Sequence, residues 1–181
     1  MKKHNFTLVE ILGVIALIVV LMVISAGVYT YASNSAKEKA TQATITRIYN
    51  GLQLLQDKGF MKVTKDGSSV KYMTVTVDVD NKKLKFNNVE VDSKGYKLFI
   101  QAVDGESLVS VLDADGRICD AWGQQIFIRF PGKFNKGGID IISAGGDGGF
   151  GKDAAADPVT DIAKYKDDDG DLICDDISNF F

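Results

Sequence analysis

Phe6-Thr7-Leu8-Val9-Glu10-Ile11-Leu12-Gly13-Val14-Ile15-Ala16-Leu17-Ile18-Val19-Val20 is the stretch that decides how this chain is organised. From Ile11 to Ala36 there are 26 consecutive residues without a charge, rich in Ile, Val and Leu. About 20 such residues suffice for a helix to cross a bilayer. Lys2, Lys3 and His4 precede the run, so the positive-inside bias keeps the short N-terminus cytoplasmic and sends the remainder outward. A cleaved secretory signal is the alternative, with Ile24-Ser25-Ala26 as a weak cleavage site. Glu10 favours the anchor. An acid inside an apolar helix costs about 2.5–3.5 kcal/mol at mid-membrane, so it calls for a partner or a function.

Beyond this segment the composition turns ordinary and then acidic. The chain has 181 residues, enough for one compact domain plus an extension. Its net charge of -3 averages over an apolar front and a tail, Asp140 to Phe181, with eleven Asp against three Lys. Phosphate binding needs a basic surface, so nucleic acid is not an expected partner. Enzymatic chemistry is not expected either. His4 is the one histidine, which leaves no His-based triad or metal cluster, and Gly145-Gly146-Asp147-Gly148-Gly149 lacks the Lys-Ser/Thr of a phosphate loop. Asp113 and Asp115 resemble a hydrolytic acid pair, but a turn at Asp115-Gly116 accounts for them, and Trp122 reads as a core residue.

The helix is expected to run from Phe6 to Lys58. Ile45, Ile48, Leu52 and Leu55 form one apolar stripe behind the small residues Ala32, Ala36 and Ala40, and Gly59 is the stop. Strands follow. Met73, Val75, Val77 and Val79 alternate with polar residues; Leu84 and Phe86, and Val89 and Val91, flank Asn87-Asn88. Tyr96, Leu98 and Ile100 read as another strand after a turn at Asp92-Ser93-Lys94-Gly95. Ile126–Ile128 and Ile139–Ile142 complete one sheet of four to six strands. The expected fold class is α+β, a long N-terminal helix laid on an antiparallel sheet.

The opening residues resemble a known family. Lys-Lys-His-Asn-Phe-Thr-Leu-Val-Glu ahead of an apolar run is similar to the leader of type IV pilins and type II secretion pseudopilins. The resemblance implies cleavage by a prepilin peptidase between Asn5 and Phe6, N-methylation of Phe6, and pairing of Glu10 with the N-terminus of an adjacent subunit during assembly. Asn5 stands where the family usually has Gly. The implied division is a leader (residues 1–5), a transmembrane and assembly helix (6–32), and a globular domain (33–181). A second resemblance lies in Asp120-Ala121-Trp122-Gly123-Gln124, in Ile139–Gly148 and in the ending Asp175-Asp176-Ile177-Ser178-Asn179-Phe180-Phe181. These are similar to the major pseudopilin of type II secretion, with Ala121 in place of the usual Pro and a longer segment between Gly149 and Cys174. The implied role is a homopolymeric filament subunit of a secretion pseudopilus, with an extracellular type IV pilus for adhesion, motility or DNA uptake as the alternative. Implied surroundings are a single-pass inner-membrane anchor, a periplasmic domain (at the cell surface in a pilus), minor pilins or pseudopilins, and an assembly platform.

The same resemblance implies one calcium ion in the Asp147 loop. Its ligands would be the Asp147 side chain, the Ala144 and Gly149 carbonyls and Asp176, with Asp175 beside them. Such a Gly/Asp loop supplies the hard oxygens that Ca²⁺ takes. Asp169 and Asp171, within Asp167-Asp168-Asp169-Gly170-Asp171, are further candidates, although the full twelve-residue calcium loop is missing. Simple solvated acid is the alternative for all of them. Cys119 and Cys174 flank this region and can pair in an oxidising compartment, or stay as two buried thiols.

Overall fold

One helix, α1 (Leu8–Asp57), carries the apolar stretch and its amphipathic continuation. The computed structural model describes residues 7–61, 74–86, 89–136, 138–158, 161, 164–166 and 175–180. The chain divides into two units, Met1–Ala36 and Lys37–Phe181, and α1 contributes to both. In the first unit the apolar side chains stand open: Leu8 is 78% exposed, and Ile18 still 45%. Among the described residues nothing covers them, and the segment is long and apolar enough to cross a membrane.

In the second unit the stripe read from the sequence is buried. Ile45, Ile48, Leu52 and Leu55 are at most 1% exposed and share a core with Val75, Val77, Leu84, Ile128 and Ile141. Full burial of each such side chain stabilises by about 1.5–3 kcal/mol. The helix ends as expected at Gly59. Phe60 N–H donates to the Leu55 carbonyl and Gly59 N–H to that of Gln56, both at 2.9 Å, with Gly59 at φ +77°. This is the crossed hydrogen-bond pair that satisfies the last carbonyls of a helix.

Among the described residues two three-stranded antiparallel sheets follow, where a single sheet was expected. The first joins β1 (Val75–Asp78), β2 (Lys83–Phe86) and β3 (Val89–Val91) in that order. The alternation in β1 holds, with Val75 and Val77 buried, but Val79 lies beyond the strand, and Met73 and Asn87-Asn88 fall outside the described residues. The second sheet joins β4 (Phe127–Arg129), β5 (Asp140–Ser143) and β6 (Ile177–Ser178), so the chain's last residues close it. Asn179 extends this sheet with its side chain: it accepts Ile141 N–H at 2.7 Å and donates to the Ile139 carbonyl at 2.7 Å.

The strand expected over Tyr96, Leu98 and Ile100 is instead a helix, α2 (Ser93–Val103), followed by the short α3 (Gly105–Val109). Asp92, taken for the start of a turn, is the cap: its carboxylate accepts Gly95 N–H at 2.8 Å. The buried large side chains are Tyr96, Phe99 and Val103, three and four apart, while Leu98 and Ile100 are only half-buried. Period-2 spacing was a coincidence of apolar residues lying on both flanks of a helical stripe.

α2 packs tightly on α1. A Cβ added at Gly51 would lie 2.6 Å from Val103 Cγ1 and 3.0 Å from Phe99 Cδ2. Gly51→Ala gains about 1 kcal/mol of helix propensity, but overpacking against a stiff valine costs about 1–3 kcal/mol. The expected result is a thermal midpoint below wild type by circular dichroism of the full chain in detergent, whereas Gly27→Ala, with open space around it, raises it or leaves it unchanged.

Candidate functional site

At the head of α1, Thr7 and Glu10 hold each other. Thr7 Oγ1 accepts Glu10 N–H at 3.3 Å, while Glu10 Oε2 accepts Thr7 N–H at 2.7 Å and its hydroxyl at 2.9 Å. With Leu8 as the first helical residue, this is a capping box: it satisfies otherwise orphaned amides, and the acid lies at the positive end of the helix. Glu10 therefore has a capping role within its own chain, which the sequence reading did not assign to it. Thr7 was not singled out as a site residue, although the Thr-x-x-Glu spacing is its signature. Asn5 and Phe6 lie outside the described residues.

The second candidate is the loop that leaves β5. Antiparallel pairing of Ser143 with Ile177 sets the residues before β6 beside those after β5, which brings Asp175 and Asp176 to the Ala144–Gly149 loop. Asp175 Oδ2 accepts the amides of Gly146 and of Asp147, the latter at 2.9 Å. Asp176 Oδ2 accepts Gly151 N–H at 2.7 Å, and Asp147 Oδ1 accepts Gly149 N–H at 2.8 Å. Ala144, Gly149 and Asp176 are buried; Asp147 and Asp175 are exposed. The structure thus gathers the expected residues Asp147, Ala144, Gly149, Asp175 and Asp176 in one loop cluster. Their hard-oxygen donors suit calcium in kind. Among the described residues, however, no three acidic, His or Cys side chains are grouped so as to hold a metal. Asp169 and Asp171 lie outside the described residues.

Two residues not singled out as site residues position this loop. Asp120 is 5% exposed, and its Oδ1 accepts Trp122 N–H at 2.9 Å and Gln124 N–H at 2.8 Å. Its Oδ2 accepts the hydroxyl of buried Ser143, whose oxygen accepts Gly145 N–H at 3.1 Å. Trp122, expected in the core, is half-buried, with its indole against Gly146 and Lys37 Nζ 5.9 Å from the ring centroid. Cys119 is buried, its Sγ 3.7 Å from the Arg117 carbonyl. Burial, with Asp113 and Asp120 nearby, pushes the Cys119 thiol up, away from the reactive thiolate. Cys174 lies outside the described residues.

The Asp113 and Asp115 pair is engaged by Arg117, with Nε to Asp113 Oδ2 and Nη2 to Asp115 Oδ2 both at 2.7 Å. Asp113 Oδ1 also accepts the Asp115 amide at 2.9 Å and the Arg117 amide at 2.8 Å, which ties off the turn expected at Asp115-Gly116. These contacts account for both acids. With this geometry in view, comparison with known proteins adds nothing: no family model, no curated protein and no solved structure matches the chain.

Desolvation raises the Asp113 pKa, but hydrogen bonds from Arg117 and Asp115 outweigh it and hold the carboxyl below its ordinary value. A depressed folded value stabilises above the unfolded pKa of about 3.9 and is lost as pH falls through the lower folded one. Asp113→Asn is therefore expected to lower the thermal midpoint at pH 7. Its gap to wild type should close as the pH falls below the carboxylate range; a gap constant with pH would show that the ion pair contributes nothing.

Proposed function

We propose that this chain is a filament subunit of the type IV pilin-like family, anchored in an inner membrane and assembled through α1, and that its filament is the pseudopilus of a type II secretion system. The observation that carries the reading is the uncharged, uncovered front of α1 with Glu10 at its head. Such a surface needs lipid before assembly or identical helices after it. In this reading a prepilin peptidase cleaves between Asn5 and Phe6 and methylates Phe6. The exposed Glu10 carboxylate then exchanges its contacts with Thr7 for the amine of a neighbouring subunit. Minor subunits and an assembly platform complete the machine. An extracellular type IV pilus is the second reading. It is favoured by the three-stranded sheet and two helices between residues 75 and 109, an enlargement suited to an exposed filament.

Calcium belongs to the same proposal. The Asp147, Asp175 and Asp176 carboxylates, with the Ala144 and Gly149 carbonyls, would hold it and tie β6 to the loop after β5. A Cys119–Cys174 disulfide would fasten the same segment.

Capping and assembly are separable. Glu10→Gln retains a capping box but has no charge, whereas Thr7→Val retains the charge and loses the cap. If Glu10 pairs between subunits, Glu10→Gln loses filaments in sheared-fibre and crosslinking assays, while Thr7→Val still assembles. The reverse pattern confines Glu10 to capping. Immunogold labelling of the assembled filament, confined to the periplasm or reaching the cell surface, decides between the two machines.

For calcium, a ligand at 100 times its Kd stabilises by about 2.7 kcal/mol, or about 5–10 °C at roughly 2–4 °C per kcal/mol for a chain of this size. The full chain in detergent should melt higher in calcium and fall back with chelator; an unchanged midpoint removes the ion from the proposal.

A further inference from the structure

A buried polar seam links α1 to the chain's tail. Thr41, fully buried on α1, accepts Ala121 N–H at 3.1 Å through its hydroxyl. The next residue back, Asp120, binds the 122–124 turn and the hydroxyl of Ser143, which is also fully buried. Ser143 in turn accepts Gly145 N–H, and the adjoining amides of Gly146 and Asp147 close on Asp175. Near the surface, α1 and the tail face each other across an open groove lined by Glu38, Lys39, Gln42, Asp175, Asp176 and Ile177. The seam bypasses that groove through the interior. Trp122 spans the same two ends, with Lys37 over its ring and Gly146 against its indole.

We infer that this seam is a conformational coupling device: the closed state of the Gly145–Asp147 loop on Asp175 and the order of α1 around Thr41 support each other through Asp120 and Ser143. Every member is a hydrogen-bonded group, and the side chains of Thr41, Asp120 and Ser143 are buried, where a lost partner leaves an uncompensated polar atom. Opening the loop frees Gly145 N–H from Ser143, which loosens the hold of Asp120 on its turn and that of the turn on Thr41. An event at the loop therefore reaches the part of α1 that opens the second unit. The coupling stands on these contacts and needs neither a bound ion nor a filament.

Amide hydrogen exchange on the full chain in detergent micelles tests this, with Asp175→Ala as the perturbation and no divalent cation added. Protection should fall about tenfold at residues 144–151 and also at residues 41–48 of α1, with residues 75–91 unchanged. Asp175→Asn, which keeps an acceptor oxygen, should stay near wild type. By reciprocity, Thr41→Val should lower protection at residues 144–151. Loss confined to 144–151 in Asp175→Ala, or an equal loss in all elements, overturns the coupling. Should Asp175→Ala fail to fold, Thr41→Val decides alone: an unchanged loop overturns the inference.

Discussion

A helix with 26 uncharged residues in a row cannot stand in water with its side chains uncovered, and that constraint governs the front of α1. Among the described residues nothing covers the front of α1, which is long and apolar enough to cross a membrane. The polar groups near its head suit that setting. Glu10 and Thr7 satisfy each other and the first amides, so the carboxylate need not be left bare as the helix enters an apolar phase. Further along, Ser25 and Thr30 turn their hydroxyls back onto the Leu21 and Gly27 carbonyls, the internal satisfaction that a membrane helix requires. From Thr41 onward one face of the same helix becomes the spine of a folded core.

In that folded unit, carboxylates do the work of shaping irregular backbone. Asp140, fully buried, accepts the amides of Lys133, Phe134 and Asn135. Asp92 caps α2, Asp113 closes its turn, Asp120 holds the residues after it, and Asp175 and Asp176 gather amides of the loop after β5. A charge-assisted bond to a backbone amide is stronger than a neutral one, and loops lack the ladders that satisfy amides elsewhere. An Asp-rich sequence of this kind is thus partly a set of internal fasteners. Asp147, Asp175 and Asp176 are not simply solvated charge, which bears on any reading that reserves them for a metal.

Much of the architecture was legible, and the errors share a cause. The α1 stripe, its stop at Gly59, the alternation in β1, and β4 and β5 to within a residue all follow from local periodicity that burial then selected. Residues 96–100 misled because Leu98 and Ile100 are apolar flanks of a helical stripe. The decisive signal was Asp92 acting as a cap, and an Asp-Ser-Lys-Gly stretch reads equally well as a turn. The described strands form two separate sheets rather than one. Of the candidate site, the loop residues Ala144, Asp147, Gly149, Asp175 and Asp176 do lie together, while Thr7, Asp120 and Ser143 were passed over as site residues. Of these, Thr7 had a readable spacing. Asp120 and Ser143 are 23 positions apart, and nothing in a linear reading joins them.

By itself the sequence determined whatever depends on neighbours within a turn or a strand: an uncovered apolar helix with an acid at its head, its amphipathic continuation, and the mixture of helix and short antiparallel strands. Local sterics and the hydrophobic effect act at that range and leave periodic marks. Tertiary structure alone decided which distant groups meet. It set Ile177 beside Ser143, closed Asp175 over Gly146 and Asp147, and made Asn179 a surrogate strand residue. It also ran a buried polar seam from Thr41 to the tail. Those partners are fixed by how the core packs, because a buried amide or hydroxyl must find whatever acceptor the fold brings to it, however far away in sequence.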